Sequence, residues 1–177
     1  MKLQLLLFFK SYANAAKLML LVLANFMISC SFTGPVRTDR KASGYQLAQL
    51  HSGWQALKAE DVGNADVVFS NNKSRALLSI SSVCDRYPDA SLDALTRQLL
   101  VPFQNVEMIS TETIQISNRS ALKKEVRGFV DGVPVHSLVT VLRKNECIFD
   151  FTMHAKDSLS ENDIKDFNNF IRGFRYE

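Results

Sequence analysis

Three cysteines, Cys30, Cys84 and Cys147, and three histidines, His51, His136 and His154, are the side chains most able to do chemistry in this chain. A thiolate beside an imidazole could attack a carbonyl, and a Cys/His cluster could hold zinc, but each needs a spacing that brings the groups together. That spacing is missing. The sequence has no G-x-S-x-G, H-E-x-x-H, C-x-x-C or G-x-G-x-x-G, so the familiar nucleophile, zinc, redox and dinucleotide patterns are absent. By strand parity His154 points away from Cys147, which separates the one conceivable base from its nucleophile. The residues therefore predict no catalytic group, no metal site and no cofactor.

Cys30 stands apart because of what precedes it. Lys2, Lys10 and Lys17 lead into Leu18–Ile28, an apolar run of eleven residues. Such a run has the length of a signal-peptide core, whereas a bilayer span needs about 20 residues. The run ends in Met27-Ile28-Ser29-Cys30, which resembles the lipobox of bacterial lipoproteins, with Met27 where leucine is usual. The resemblance implies cleavage before Cys30, acylation of its thiol with fatty chains such as palmitate, and a protein facing the periplasm from a lipid anchor. Ser31, where many inner-membrane lipoproteins carry Asp, points to the outer membrane. Two alternatives stay open, a plain cleaved signal that leaves Cys30 as a free thiol and an uncleaved anchor.

The leader also accounts for the charge. The whole chain has 21 basic and 18 acidic residues, but three of the lysines precede Cys30, so the remainder carries 18 of each (21 − 3 = 18) and no net charge. A nucleic-acid partner, which needs a basic footprint, is not expected. With Cys30 used by lipid, Cys84 and Cys147 are an even pair in an oxidising compartment. Alternation in Leu78-x-Ile80-x-Ser82-x-Cys84 and Cys147-x-Phe149-x-Phe151-x-Met153 puts both thiols on apolar strand faces, where they could bond or lie buried and unpaired as small hydrophobes.

The chain divides into residues 1–29 as the signal, 30–44 as lipidated cysteine and polar tether, and 45–177 as one domain. Within the domain, strands are predicted over 66–70 and 76–84, then a helix capped by Ser91 that carries Leu92, Leu95 and Leu99. Four strands follow, over 106–116, 121–130, 133–142 and 146–155. Asp131-Gly132 suits a type I′ hairpin, while 117–120 and 143–145 read as longer turns. Ser160 opens a last helix, with Asp163 in the capping-box position and Ile164, Phe167, Ile171 and Phe174 as its apolar stripe. Hairpin after hairpin gives an antiparallel meander, and the apolar stripes place helices on it, an α+β fold. On the outer sheet face Asp150, Thr152 and His154 form a polar row, read as a solvated face or a surface contact, and Phe129 among Lys123, Glu125 and Arg127 is an outward aromatic that anchors a partner or shields its strand. Asn118-Arg119-Ser120 matches a glycosylation sequon and reads more simply as a turn.

From Trp54 onward the chain resembles the PsbP/DcrB-type fold, and more narrowly uncharacterised bacterial lipoproteins of that shape. The residues that carry the likeness are the 65–70 and 79–84 strands, Ser91-Leu92-Asp93-Ala94-Leu95-Thr96, the stretch Gly128-Phe129-Val130-Asp131-Gly132-Val133-Pro134-Val135, Cys147-Ile148-Phe149-Asp150-Phe151, and Asp166-Phe167-Asn168-Asn169-Phe170. The resemblance implies a non-catalytic binding or accessory module at a membrane surface. It also implies envelope lipid-transport machinery as a class of protein partner. A carrier of lipid or another small apolar ligand is the alternative, and would need an apolar cavity of about 300 Å³ or more. An enzyme of unrecognised type is the third class.

Overall fold

Strict alternation decides the centre of the molecule. Every second residue of Leu78–Cys84 and of Cys147–Ala155 faces the same way, and antiparallel pairing sets Leu78 opposite Met153, Ile80 opposite Phe151, Ser82 opposite Phe149 and Cys84 opposite Cys147. In the computed structural model, which describes residues 40–58 and 65–177, these segments are the middle of a seven-stranded sheet. In chain order the elements are β1 (Trp54–Ala56), β2 (Val67–Asn71), β3 (Leu77–Cys84), α1 (Leu92–Leu99), β4 (Gln104–Ile116), β5 (Arg119–Val130), β6 (Val133–Lys144), β7 (Cys147–Lys156) and α2 (Glu161–Gly173). The strands lie in the order β1-β2-β3-β7-β6-β5-β4, antiparallel throughout. The expected meander is present, and the fold class is α+β.

All three hairpins of the meander use two-residue turns. Asp131-Gly132 has positive φ at both positions, as its dipeptide suggests, but so do Ser117-Asn118 and Asn145-Glu146. Neither contains glycine, which is why the sequence read them as longer loops.

The two helices cover opposite faces. Ser160 caps α2 in a complete capping box with Asp163, and Phe167, Phe170, Ile171 and Phe174 come down on the apolar row of β3 and β7. The Phe149 and Phe174 rings are 4.9 Å apart, and those of Phe151 and Phe174 5.0 Å, with no exposed surface left on any of the three. Burying each such ring stabilises the fold by about 1.5–3 kcal/mol. Two acids lock the start of α2 sideways. Asp163, almost fully buried, also accepts from Ser74 Oγ at 2.7 Å, and Asp166 accepts from Trp54 Nε1 at 2.9 Å while lying 2.6 Å from His51 Nδ1. On the other face α1, capped by Ser91, sets Leu95 against Val141 and Ile148. Leu99, Leu100 and Phe103 continue the contact onto Val126 and Val139.

Cys30, the 1–29 signal and residues 31–39 lie outside the described residues. The end of the expected 30–44 tether does not: Arg40 O accepts from Cys84 N at 2.8 Å, Ala42 N donates to Ser82 Oγ at 2.9 Å, and Ala42 is buried in the core. The domain therefore begins at or before Arg40. A polar composition hid this, because among the described residues of the segment only Ala42, a small side chain, is buried.

Cys84 and Cys147 are disulfide-bonded, with Sγ atoms 1.99 Å apart and a sequence separation of 63. Closing a loop of that length is worth about 4 kcal/mol by the chain-entropy argument. Reduction should expose two alkylatable thiols and lower the melting temperature by about 10 °C or more. Two thiols alkylated after unfolding without reductant, or an unchanged melting curve after reduction, would contradict the bond.

Candidate interaction surface

Antiparallel strands bring residues distant in sequence to a common end of the sheet. At one end lie the β5–β6 turn, the starts of β3 and β4 and the end of β7. Nine large apolar side chains among the described residues are exposed, and seven of them lie at this end: Leu77 on β3, and Val101, Val106, Met108, Ile109, Phe129 and Val133 on its β4–β5–β6 side. Val101, just past α1, is 78% exposed. Phe129 pairs with Gln104 and Pro134, and Val133 with Val130 at the hairpin.

The edge strand contributes through irregularity. The β4–β5 register shifts between Gln104 and Glu107, where Asn105, at positive φ, and Val106 face Gly128 alone, and again between Met108 and Ser110, where Ile109 has no partner on β5. Edge strands are usually blunted by charge, and a bulged edge carrying apolar side chains is an open contact. Gly128 lets the chain close over β5 at this point: a Cβ there would lie 2.9 Å from Gln104 O and 3.3 Å from Phe103 Cδ1. The sequence signal for the bulge is the adjacent apolar pair Met108-Ile109, which breaks strand alternation.

Phe129 thus belongs to an exposed apolar end; His154 lies beside it, its ring 6.2 Å from that of Phe103, whereas Asp150 lies farther along β7. Both lie on β7, two strands from β5, and the outer face they share is only partly solvated, because both are half-buried. His154 Nδ1 is 2.7 Å from Ser137 Oγ, and Thr152 Oγ1 is 2.7 Å from Ser79 Oγ. Parity gives the face a side chain occupies but not whether another part of the chain covers it. Burial pushes the Asp150 carboxyl up to about 6, against a smaller opposing pull from Lys41, and holds the His154 imidazole down at about 4. His136 faces the α2 side, where its Nδ1 accepts from Leu159 N at 3.0 Å and its Nε2 lies 2.9 Å from Glu125 Oε1. The three do not converge. Among the described residues no three His, Cys, Asp or Glu side chains are placed to share a metal ion. The clefts beside α2, of about 330 and 390 Å³, have Lys73, Asp163 and Asp166 or Glu112, Lys123 and Arg172 in their walls, which suits water better than an acyl chain.

No protein-family model matches the chain, and no curated protein does. Its shape does match solved structures. The solution structure of cyanobacterial PsbP (CyanoP) from Synechocystis sp. PCC 6803 superposes with a TM-score of 0.55 at 18% identity, covering 84% of this chain and 98% of that one. A crystal structure from Bacteroides thetaiotaomicron VPI-5482 gives 0.52 at 14%, covering 75% of this chain, which spans only 45% of that protein. LpqN, described as involved in cell envelope biogenesis of Mycobacterium tuberculosis, gives 0.48 at 11%, covering 78% of this chain and 86% of its own. The fold is PsbP-like. Fold likeness at this identity does not carry function.

The buried pair on β7 makes a pH-dependent prediction. Asp150 ionises near 6 in the folded state but at about 4 unfolded, so it opposes folding as pH rises through that window. Replacing it by asparagine should stabilise the domain by about 1–3 kcal/mol at neutral pH, with the gain vanishing toward pH ~4. His154 acts with the opposite sign. Its folded value of about 4 lies below the unfolded value near 6.5, so its contribution is full above ~6.5 and lost as pH falls. Denaturant melts across pH read both, and equal stability of Asp150→Asn and the parent at neutral pH would refute the burial of charge.

Proposed function

We propose that this chain is a non-catalytic lipoprotein of the cell envelope, an accessory module that docks an envelope protein through its apolar hairpin end. The observation that carries the reading is the exposure of Val101, Val106, Met108, Ile109, Phe129 and Val133 at one end of a domain whose core is filled, with Met108 and Val133 on the α1 side of the sheet and Phe129 on the α2 side. Exposed apolar patches of this kind mark protein contacts more often than catalytic sites. The lipid on Cys30 holds the domain to the periplasmic side of a membrane, the outer one by the Ser31 rule. The partner belongs to the class of lipid-transport machinery.

Two features favour this reading over the others. The groups that would do chemistry are engaged elsewhere: Cys84 and Cys147 with each other, His51 with Asp166, His136 with Glu125 and Leu159, and His154 with Ser137. The space between sheet and α2, where a carrier would hold its ligand, is filled by Phe149, Phe151, Phe167, Phe170 and Phe174, all fully buried.

The anchor and the docking end are separable by mutation. Cys30→Ala should abolish labelling by a fatty-acid analogue and release a folded domain from the membrane fraction. Labelling that persists in this variant sinks the anchor. Val101→Asp with Phe129→Asp should leave the melting temperature within a few degrees of the parent, since exposed substitutions cost about 0.5 kcal/mol or less, yet remove the partner recovered by crosslinking in native membranes. Unchanged crosslinks in this folded, localised variant would move the docking site elsewhere, and loss of turnover of an identified substrate would overturn the non-catalytic reading.

A further inference from the structure

The opposite end of the sheet has a different chemistry. Here the β4–β5 and β6–β7 turns, the Cys84–Cys147 bond and the C-terminus of α2 meet. Arg119, Lys144, Arg172 and Arg175 stand around the β4–β5 turn, and Arg40, Arg86 and Arg143 around the β3 end, against four acids, Asp85, Asp89, Glu146 and Glu177. The difference is +3 (7 − 4), while the other described residues hold ten bases and eleven acids. Charge is thus segregated to this end.

Several of these cations are held in place. Around a cleft of about 370 Å³ beside Asn118 and Tyr176, Lys144 Nζ donates to Ser117 O at 3.1 Å and to Ser117 Oγ at 2.9 Å. Arg175 Nη1 donates to Arg172 O at 2.7 Å, and Arg172 itself is exposed on the cleft wall. On the far side of the turn Arg86 stacks 4.9 Å above the ring of Tyr87, an exposed aromatic of the kind that settles at a membrane–water boundary.

The chain also enters the domain at this end, at Arg40 on the tail of β3. Nine residues lie between Cys30 and Arg40, and the ten steps from one to the other reach at most about 35 Å when fully extended. The twelve residues of β5 alone run about 40 Å. An anchor at Cys30 therefore lets the cationic end, where the chain enters the domain, reach the bilayer.

We propose that the cationic end seats on the anionic phosphate headgroups of the membrane that carries the Cys30 lipid and so holds the domain with its apolar end outward. The proposal rests on the anchor reading above. It is tested with the full-length protein purified from its own envelope and reconstituted into vesicles of phosphatidylcholine, with or without phosphatidylglycerol, doped with a headgroup nitroxide quencher. A fluorophore is placed at Ser120→Cys on the cationic end or at Lys156→Cys on the apolar end. Quenching at position 120 should exceed that at 156 on anionic vesicles. The difference should fall several-fold on neutral vesicles, in high salt, and in an Arg119→Gln/Arg172→Gln/Arg175→Gln variant of unchanged melting temperature. Equal quenching on both vesicle types, or stronger quenching at 156, overturns it. Mass spectrometry of the same sample reads the acyl chains separately. If none is present the anchor reading fails alone, and flotation on the two vesicle types still decides this one, binding to the anionic vesicles only supporting it and binding to neither overturning it.

Discussion

The pairing of β3 with β7 is the interaction on which the rest of the structure depends. Every other pair in the sheet joins strands adjacent in sequence, whereas this one joins residues 77–84 to 147–154 and fuses a three-strand meander to a four-strand one. Non-local pairing is entropically costly, and here the compensation is concentrated at the junction itself. Leu78, Ile80, Phe149 and Phe151 lie side by side beneath α2, and the disulfide closes the ladder at its last rung. Without the junction, α2 has no complete face to cover.

The same junction explains why the polar row on its other side is tolerated. A strand with one apolar face must put something on the other, and α1 reaches only β5 and β6, through Val126, Val139 and Val141, together with Ile148 at one corner of β7. Farther along, Ser79 with Thr152 and Ser137 with His154 satisfy one another across the strands. Asp150 and His154 press stability in opposite directions as pH changes, so each masks the slope that the other would give alone.

Much of this was legible from period and punctuation. The parity of Cys84 and Cys147, the capping box at Ser160 and Asp163, the Asp131-Gly132 turn and the meander are local properties, and local chemistry specifies them. What was not legible depends on register between distant segments. Val101 and Val133 share an end of the sheet because α1 returns the chain to β4 at the far edge, and no pattern within either segment announces it. The Ala42 contact was missed for the opposite reason: a single inward methyl in a polar stretch gives no period at all.

A basic end could be no more than helix chemistry, since cations at a helix C-terminus offset the macrodipole and satisfy its last carbonyls. Arg175 does this, spending one guanidinium nitrogen on Arg172 O and Phe174 O. A guanidinium has five N–H donors in a fixed fork, so one that caps a helix with a single nitrogen still presents the rest outward. The helix has no such use for Arg119, which starts β5, nor for Arg86, which lies on a tyrosine ring. Helix capping therefore accounts for Arg175 and leaves the convergence of the others, at the one end where the tether arrives, as a property of the surface.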